Sequence, residues 1–199
     1  MKTIVYGIVA LCGLAFWSCD GKNQLADKVT GEWSTPDGVL HGVNAIETRV
    51  IETYSFVRDS SRAGGTLIVS GMTETTVAPV FDNNVVQTVS EGIAANSYIE
   101  GTWTVVDDDE ISINFDYSTL AVNVDTATVA LRQNLLTGNE GPEMSQVSGN
   151  VAKTVGAELK SALQSRYQSM RLIDDVKVKG DVLKFEAGPR DFVLQRVIN

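Results

Sequence analysis

The chain has 199 residues, 43% of them hydrophobic and 21% charged, with a formal net charge of −9, one histidine and two cysteines. That composition suits one globular domain with a sizeable core. It excludes a nucleic-acid surface, because no basic face exists to displace counterions from phosphates; one histidine excludes multi-histidine metal centres, and two cysteines exclude a zinc ribbon or a disulfide scaffold.

In chain order, the first element is a leader. Lys2 is followed by an uncharged apolar run from Ile4 to Trp17, closed by Ser18 and Asp20. The run is shorter than the roughly 20 residues that cross a bilayer core. It has the charged start and apolar middle of a secretory signal, with a retained membrane helix as the alternative. Phe16-Trp17-Ser18-Cys19 resembles the lipobox of bacterial lipoproteins, in the looser form seen in Bacteroidota, with Ser18 as the small residue before the modified cysteine. Phe16 and Trp17 are bulkier than the usual residues there. Cys12 is the rival position, but it follows Leu11 and too short an apolar run.

The resemblance implies cleavage between Ser18 and Cys19, a diacylglyceryl thioether on Cys19, and a third acyl chain, such as palmitate, on its new amine. Two or three chains hold a protein on a membrane where one holds it marginally. The implied layout is a signal peptide over 1–18, a lipidated cysteine and polar tether over 19–28, and a folded domain over 29–199. It also implies an outer-membrane lipoprotein facing the periplasm or the cell surface, with no thiol left for chemistry. Losing Lys2 with the leader makes the mature chain one unit more negative than −9. Anionic headgroups would repel such a surface, so the acyl chains and not a protein face would hold the membrane.

From residue 29 onward, period-two alternation recurs. Strands are predicted at Val29 to Ser34, Arg49 to Arg58 and Thr66 to Val77. Next come two antiparallel strands carrying Ile99, Gly101, Trp103 and Val105, then Ile111, Ile113, Phe115 and Tyr117, joined by a turn at Asp107 to Asp109. Further strands are predicted at Leu120 to Leu131, at Val176 to Phe185 as a hairpin turning at Gly180-Asp181, and at Phe192 to Ile198. Asp59 to Gly65 and Asp82-Asn83-Asn84 have turn chemistry, while Pro36 to Gly42 and Ala78 to Gly92 read as loops. One segment breaks the period: Val147, Val151, Val155, Leu159 and Leu163 recur every four positions between Pro142 and Arg171, an amphipathic helix of about six turns. Its apolar stripe packs on the barrel flank or across one end; a lid over a ligand cavity is the functional alternative. The fold class is therefore mainly β, an antiparallel barrel of eight to ten strands with one helix late in the chain; closure removes exposed sheet edges.

Gly31-Glu32-Trp33 on the first strand resembles the G-x-W signature of lipocalin-like barrels. In that family the tryptophan plugs the closed end and an arginine of the last strand covers it. Arg196 lies in the last predicted strand, on the parity of Phe192, Leu194 and Ile198. A charge among apolar neighbours is costly unless satisfied, and stacking on Trp33 would satisfy it. The resemblance covers residues 29–199 in layout only and carries over no ligand residues.

No catalytic constellation is legible. Asp107-Asp108-Asp109-Glu110 lacks the D-x-D-x-D-G spacing of a calcium loop and reads as a solvated turn. Asp174-Asp175 reads as surface charge. His41 has no accompanying nucleophile motif, and neither a dinucleotide nor a Walker loop is present. The expectation is a protein that is no enzyme and uses no cofactor or metal. Tyr54, Phe56, Tyr98, Trp103, Phe115 and Tyr117 are the strand aromatics; they fill the barrel or, if it is hollow, line its pocket. Two functions stay open: a lipid-anchored lipocalin-like module binding a small apolar ligand, and a filled barrel docking to another envelope protein.

Overall fold

A computed structural model describes residues 21–36, 38–41, 47–76, 80–82, 85–89, 92–129, 131–132 and 143–198. The leader, Ser18 and Cys19 lie outside the described residues.

Eight antiparallel strands close a barrel. They are β1 (Gly31–Ser34), β3 (Glu47–Arg58), β4 (Gly64–Thr76), β7 (Ile93–Asp107), β8 (Glu110–Val124), β10 (Leu172–Lys179), β11 (Val182–Ala187) and β12 (Arg190–Arg196). Each pairs with the next one along this series, so the ring is an up-and-down meander. It shuts where β1 bridges β3, with Trp33 opposite Tyr54, and β12, with Trp33 opposite Arg196. β2 (Gly38–His41) continues along β3 beyond β1, pairing with its other half.

Alternation decides which side chains enter the core. β4 and β7 bury every second residue along most of their length, Leu67 and Val69 on one, Ile93, Ala95, Ile99 and Trp103 on the other. The strands are unequal. β3, β4, β7 and β8 run 12 to 15 residues, whereas β1, β10, β11 and β12 run four to eight. The long four therefore form a wall that overshoots the barrel at one end.

Helix α2 (Glu143–Ser169) lies against that overhang and then enters the end. Ala152, Val155 and Leu159 pack with Ile93, Ala95 and Val129 in a cluster of their own. One to three turns later Leu163 and Tyr167, with Met170 just past the helix, are wholly buried in the main core. The stripe thus closes one end of the barrel. Gly156 lets the helix approach β8: a Cβ there would stand 3.3 Å from a methyl of Val124. Of the predicted stripe, Val155, Leu159 and Leu163 are buried and Val151 is half-buried; the side chain of Val147 lies outside the described residues.

Five expectations need correction. The stretch Pro36 to Gly42, read as a loop, contains β2 (Gly38–His41), paired antiparallel with β3. The segment read as a tether is helix α1 over residues 21–29, and Leu25, Ala26 and Val29 on one face are buried in the main core. Their helical spacing was hidden among polar neighbours, and the folded unit starts before residue 29. The stretch Ala78 to Gly92, read as a loop, contains β5 (Val80–Asp82) and β6 (Val85–Val89), where Asp82 pairs with Val85; β6 also pairs with β9 (Leu131–Arg132). The strands predicted at Ile111 to Tyr117 and Leu120 to Leu131 are one strand, β8, ending at Val124 before a 3-10 turn (Thr126–Thr128). A register shift divides its two halves, because Asp116 accepts hydrogen bonds from the Ser118 amide at 2.9 Å and hydroxyl at 2.6 Å and so bulges the chain. Finally, Ile198 is 80% exposed, since β12 ends at Arg196.

Candidate functional site

The end closed by α1 is built around Trp33. Its indole is fully buried, and its ring nitrogen donates to the Val29 carbonyl at 2.7 Å. The guanidinium carbon of Arg196 stands 4.0 Å over the ring centroid. The same guanidinium donates to the carbonyls of Thr30 (3.3 Å) and Lys28 (3.2 Å), which the end of α1 leaves open. Arg196 therefore covers the tryptophan and caps the helix at once. Gly31 sits at φ +125, and a Cβ there would meet the arginine at 2.7 Å, so this backbone favours glycine.

The strand aromatics divide. Tyr54, Phe56, Trp103 and Phe115 are buried and turned inward. Phe56 meets Trp103 edge-on at 5.5 Å and Phe115 meets Tyr167 of α2 at 5.0 Å. Trp103 donates to the Thr66 carbonyl at 3.1 Å. These side chains pack on one another and on the helix. Tyr117 sits at the β8 bulge, half-buried, with a buried hydroxyl that has no hydrogen-bond partner among the described residues; burial raises its pKa. Tyr98 lies on the outward parity of β7, is 37% exposed, and bonds to Glu100, so it takes no part in the interior.

The end closed by α2 holds a cluster that the sequence reading missed. Glu52 of β3 is completely buried on the inward parity between Val50 and Tyr54. Its Oε2 accepts from Arg166 Nε (2.9 Å) and Nη2 (2.7 Å) and from the Tyr54 hydroxyl (2.9 Å), while Oε1 accepts from the Tyr167 hydroxyl (3.0 Å). All four donors point at one carboxylate, so its charge is paired and hydrogen-bonded, as a buried charge must be. Burial, and then the carboxylate charge, push both tyrosines well above the usual phenol range. Burial, the largest single influence, would lower Arg166, but the charge and hydrogen bonds of Glu52 and Tyr54 together outweigh it and the net shift is upward. A signal for Glu52 existed: it shares the parity of Tyr54 and Phe56, the same argument that singled out Arg196.

Beside this cluster a groove of about 440 Å³ opens to solvent. Pro36, Val50 and Phe192 give it apolar walls, and Arg166 and Arg190 line it with charge. The Arg166 guanidinium also stacks on Phe192, 5.0 Å from the ring centroid. A second groove of about 330 Å³ lies at the other end between α1 and β10, with Lys28, Lys177, Lys179 and Asp108 on its walls.

The remaining candidates stand apart from both ends' interiors. Asp107 to Glu110 form the β7–β8 turn, against the start of α1. Asp174 and Asp175 fall at a bulge in β10, Asp175 with φ 51 and paired to Lys177 at 2.5 Å. His41 ends β2, and its side chain lies outside the described residues. Among the described residues no group of three or more metal-ligating side chains gathers, and no helix is long and apolar enough to cross a membrane.

The fold defines the class: a closed, up-and-down, eight-stranded antiparallel barrel with two helices, one late in the chain. Comparison with protein-family models, with curated proteins and with solved structures finds no match for the chain.

Proposed function

We propose that the protein is an outer-membrane lipoprotein anchored through Cys19, with a lipocalin-like barrel that is filled and works without enzymatic chemistry as a docking module for another envelope protein. The address rests on Phe16-Trp17-Ser18-Cys19 and the short apolar run before it. The preference for docking over carriage of a small apolar ligand rests on one observation. Trp33, Tyr54, Phe56, Trp103, Leu163 and Tyr167 are each at most 1% exposed and occupy the interior. An apolar guest there would have to displace aromatic side chains that already bury their faces on each other.

The test is the full chain expressed in a Gram-negative host, isolated from membranes and weighed intact by native mass spectrometry. The expected species starts at Cys19, carries acyl mass and holds no further lipid-sized guest, while Cys19→Ala leaves the membrane fraction. An intact leader on the wild type, or Cys19→Ala remaining in the membrane, overturns the anchor. A lipid-sized molecule retained by the barrel overturns the filled interior.

A further inference from the structure

We infer that the seam between β12 and β2 is a docking slot for one extended, proline-free peptide segment of a partner protein, which pairs along β12 as an added strand. This rests on the docking reading above and names the chemistry of the partner.

Hydrogen-bond parity tells which main-chain groups of β12 are spent. The Arg196 amide donates to the Asp181 carbonyl at 2.8 Å, and the β11–β12 register runs unbroken from there back to Arg190 opposite Ala187. Arg190, Phe192 and Leu194 therefore exchange their main-chain bonds with β11, while Asp191, Val193 and Gln195 turn theirs to the other side. The Val197 amide, of that second set, donates to the Glu32 carbonyl at 2.9 Å, so the other side is the one where β1 lies. But β1 meets β12 only at Trp33 and Ser34, opposite Arg196 and Gln195. Beyond them, Asp191 and Val193 have no strand beside them among the described residues.

The facing wall is open in the same way. The Thr35 amide donates to the Glu52 carbonyl at 2.8 Å, so the even-numbered residues of β3 bond toward β1 and β2. Gly38 and Leu40, opposite Val50 and Thr48, spend their main-chain groups on β3, and Val39 between them turns its own away. Among the described residues β2 is the last strand of its sheet. Between the two edges lies the groove of about 440 Å³, which touches Pro36 and Gly38 on one side and Arg190 to Val193 on the other.

What this groove leaves unsatisfied is main chain. Val50 and Phe192 on its walls are only 2% and 7% exposed, so an apolar guest would cover little there. A row of open N–H and C=O groups is complemented by another extended backbone, the mode of strand addition. Such pairing works with either sign of charge on the rim, so Asp37, which lies outside the described residues, does not enter into it. Strands of one barrel wall the slot on both sides, and it therefore admits a single strand. The edge of a second copy would bring its own neighbouring strand against a wall. The open part of β12, residues 190–194, offers roughly 17 Å of edge at about 3.4 Å per residue.

The probe is a phage-displayed library of random nine-residue peptides, selected on the full-length protein extracted from its membrane in detergent; the selected peptides are then synthesised. In the free protein the amides of Asp191 and Val193 are expected to exchange with deuterium quickly and those of Phe192 and Leu194 slowly, and bound peptide slows the first pair. N-methylation of two central peptide residues keeps every side chain and abolishes binding. Val193→Pro removes one edge N–H at a position where a strand tolerates proline. It lowers the affinity about tenfold or more, the loss of a main-chain hydrogen bond, whereas Val193→Thr leaves it unchanged. Asp191 and Val193 amides already protected in the free protein would mean that another segment of this chain or a second copy fills the seam, and would overturn the proposal. So would N-methylated peptides that bind as well as their parents, or full affinity in Val193→Pro. Peptides that protect a different face overturn the strand slot and leave the docking reading standing; a library that yields no binder at any face overturns both.

Discussion

Replacing Arg166 with methionine keeps most of the side chain's length and removes its charge. Glu52, which has no solvent exposure, then keeps a full negative charge supported only by the hydroxyls of Tyr54 and Tyr167. Breaking a buried pair from one side costs about 3–5 kcal/mol. Glu52→Gln strands Arg166 in the same way, 12% exposed and stacked on Phe192, and is expected to cost a similar amount. In the double variant Glu52→Gln/Arg166→Met neither charge remains, and stability is expected to return to within about 1–2 kcal/mol of the wild type, since an apolar replacement of a buried pair is often neutral or better. Urea unfolding of the four proteins measures the cycle, and each single variant should also melt roughly 6–20 °C lower at about 2–4 °C per kcal/mol for a domain of this size. Losses that simply add in the double variant, or single variants within about 0.5 kcal/mol of wild type, would refute the view that this pair locks α2 into the barrel.

Two further outcomes follow from the same packing. Arg196→Ala removes the stacking on Trp33 and two hydrogen bonds to the end of α1, at an expected cost of about 1–3 kcal/mol in thermal melting; unchanged melting for both Arg196→Ala and Trp33→Ala would remove the pairing as a structural element. The raised phenols of Tyr54 and Tyr167 make stability fall in alkali. Below about pH 10, the unfolded value, both states hold the protons. Above it the unfolded chain loses them and the native state does not, so unfolding gains by up to about 1.4 kcal/mol per pH unit for each tyrosine. Urea titrations between pH 9 and 11 should show that slope, and Tyr54→Phe should reduce it; an identical slope in the variant would mean that this phenol is not held protonated by the fold.

Much of the barrel was legible because its strands alternate cleanly. Ile111, Ile113 and Phe115, or Phe192 and Leu194, announce a buried face from spacing alone, and Gly180-Asp181 marks its hairpin by turn chemistry. The Trp33–Arg196 contact was legible for a sharper reason: a charge on an apolar parity demands a partner. The same logic applied to Glu52 but could not reach its answer, since Arg166 and Tyr167 come from a helix more than a hundred residues away. Helix α1 escaped because a nine-residue segment with three buried side chains gives little periodic signal. β8 looked like two strands because the Asp116 turn interrupts its alternation without ending its pairing. The groove is a product of tertiary closure, assembled from β12, α2 and the corner after β1, and no local window contains it.

The place of α1 in the chain has a consequence for posture. If a thioether on Cys19 fastens the chain to lipid, Gly21, the first described residue of α1, follows two positions later, and two residues span no more than roughly 7 Å. That is too short a leash for the body to swing on. The molecule would stand on its α1 end like a cup set on its base, with its opposite rim, the end that α2 closes, held farthest from the bilayer.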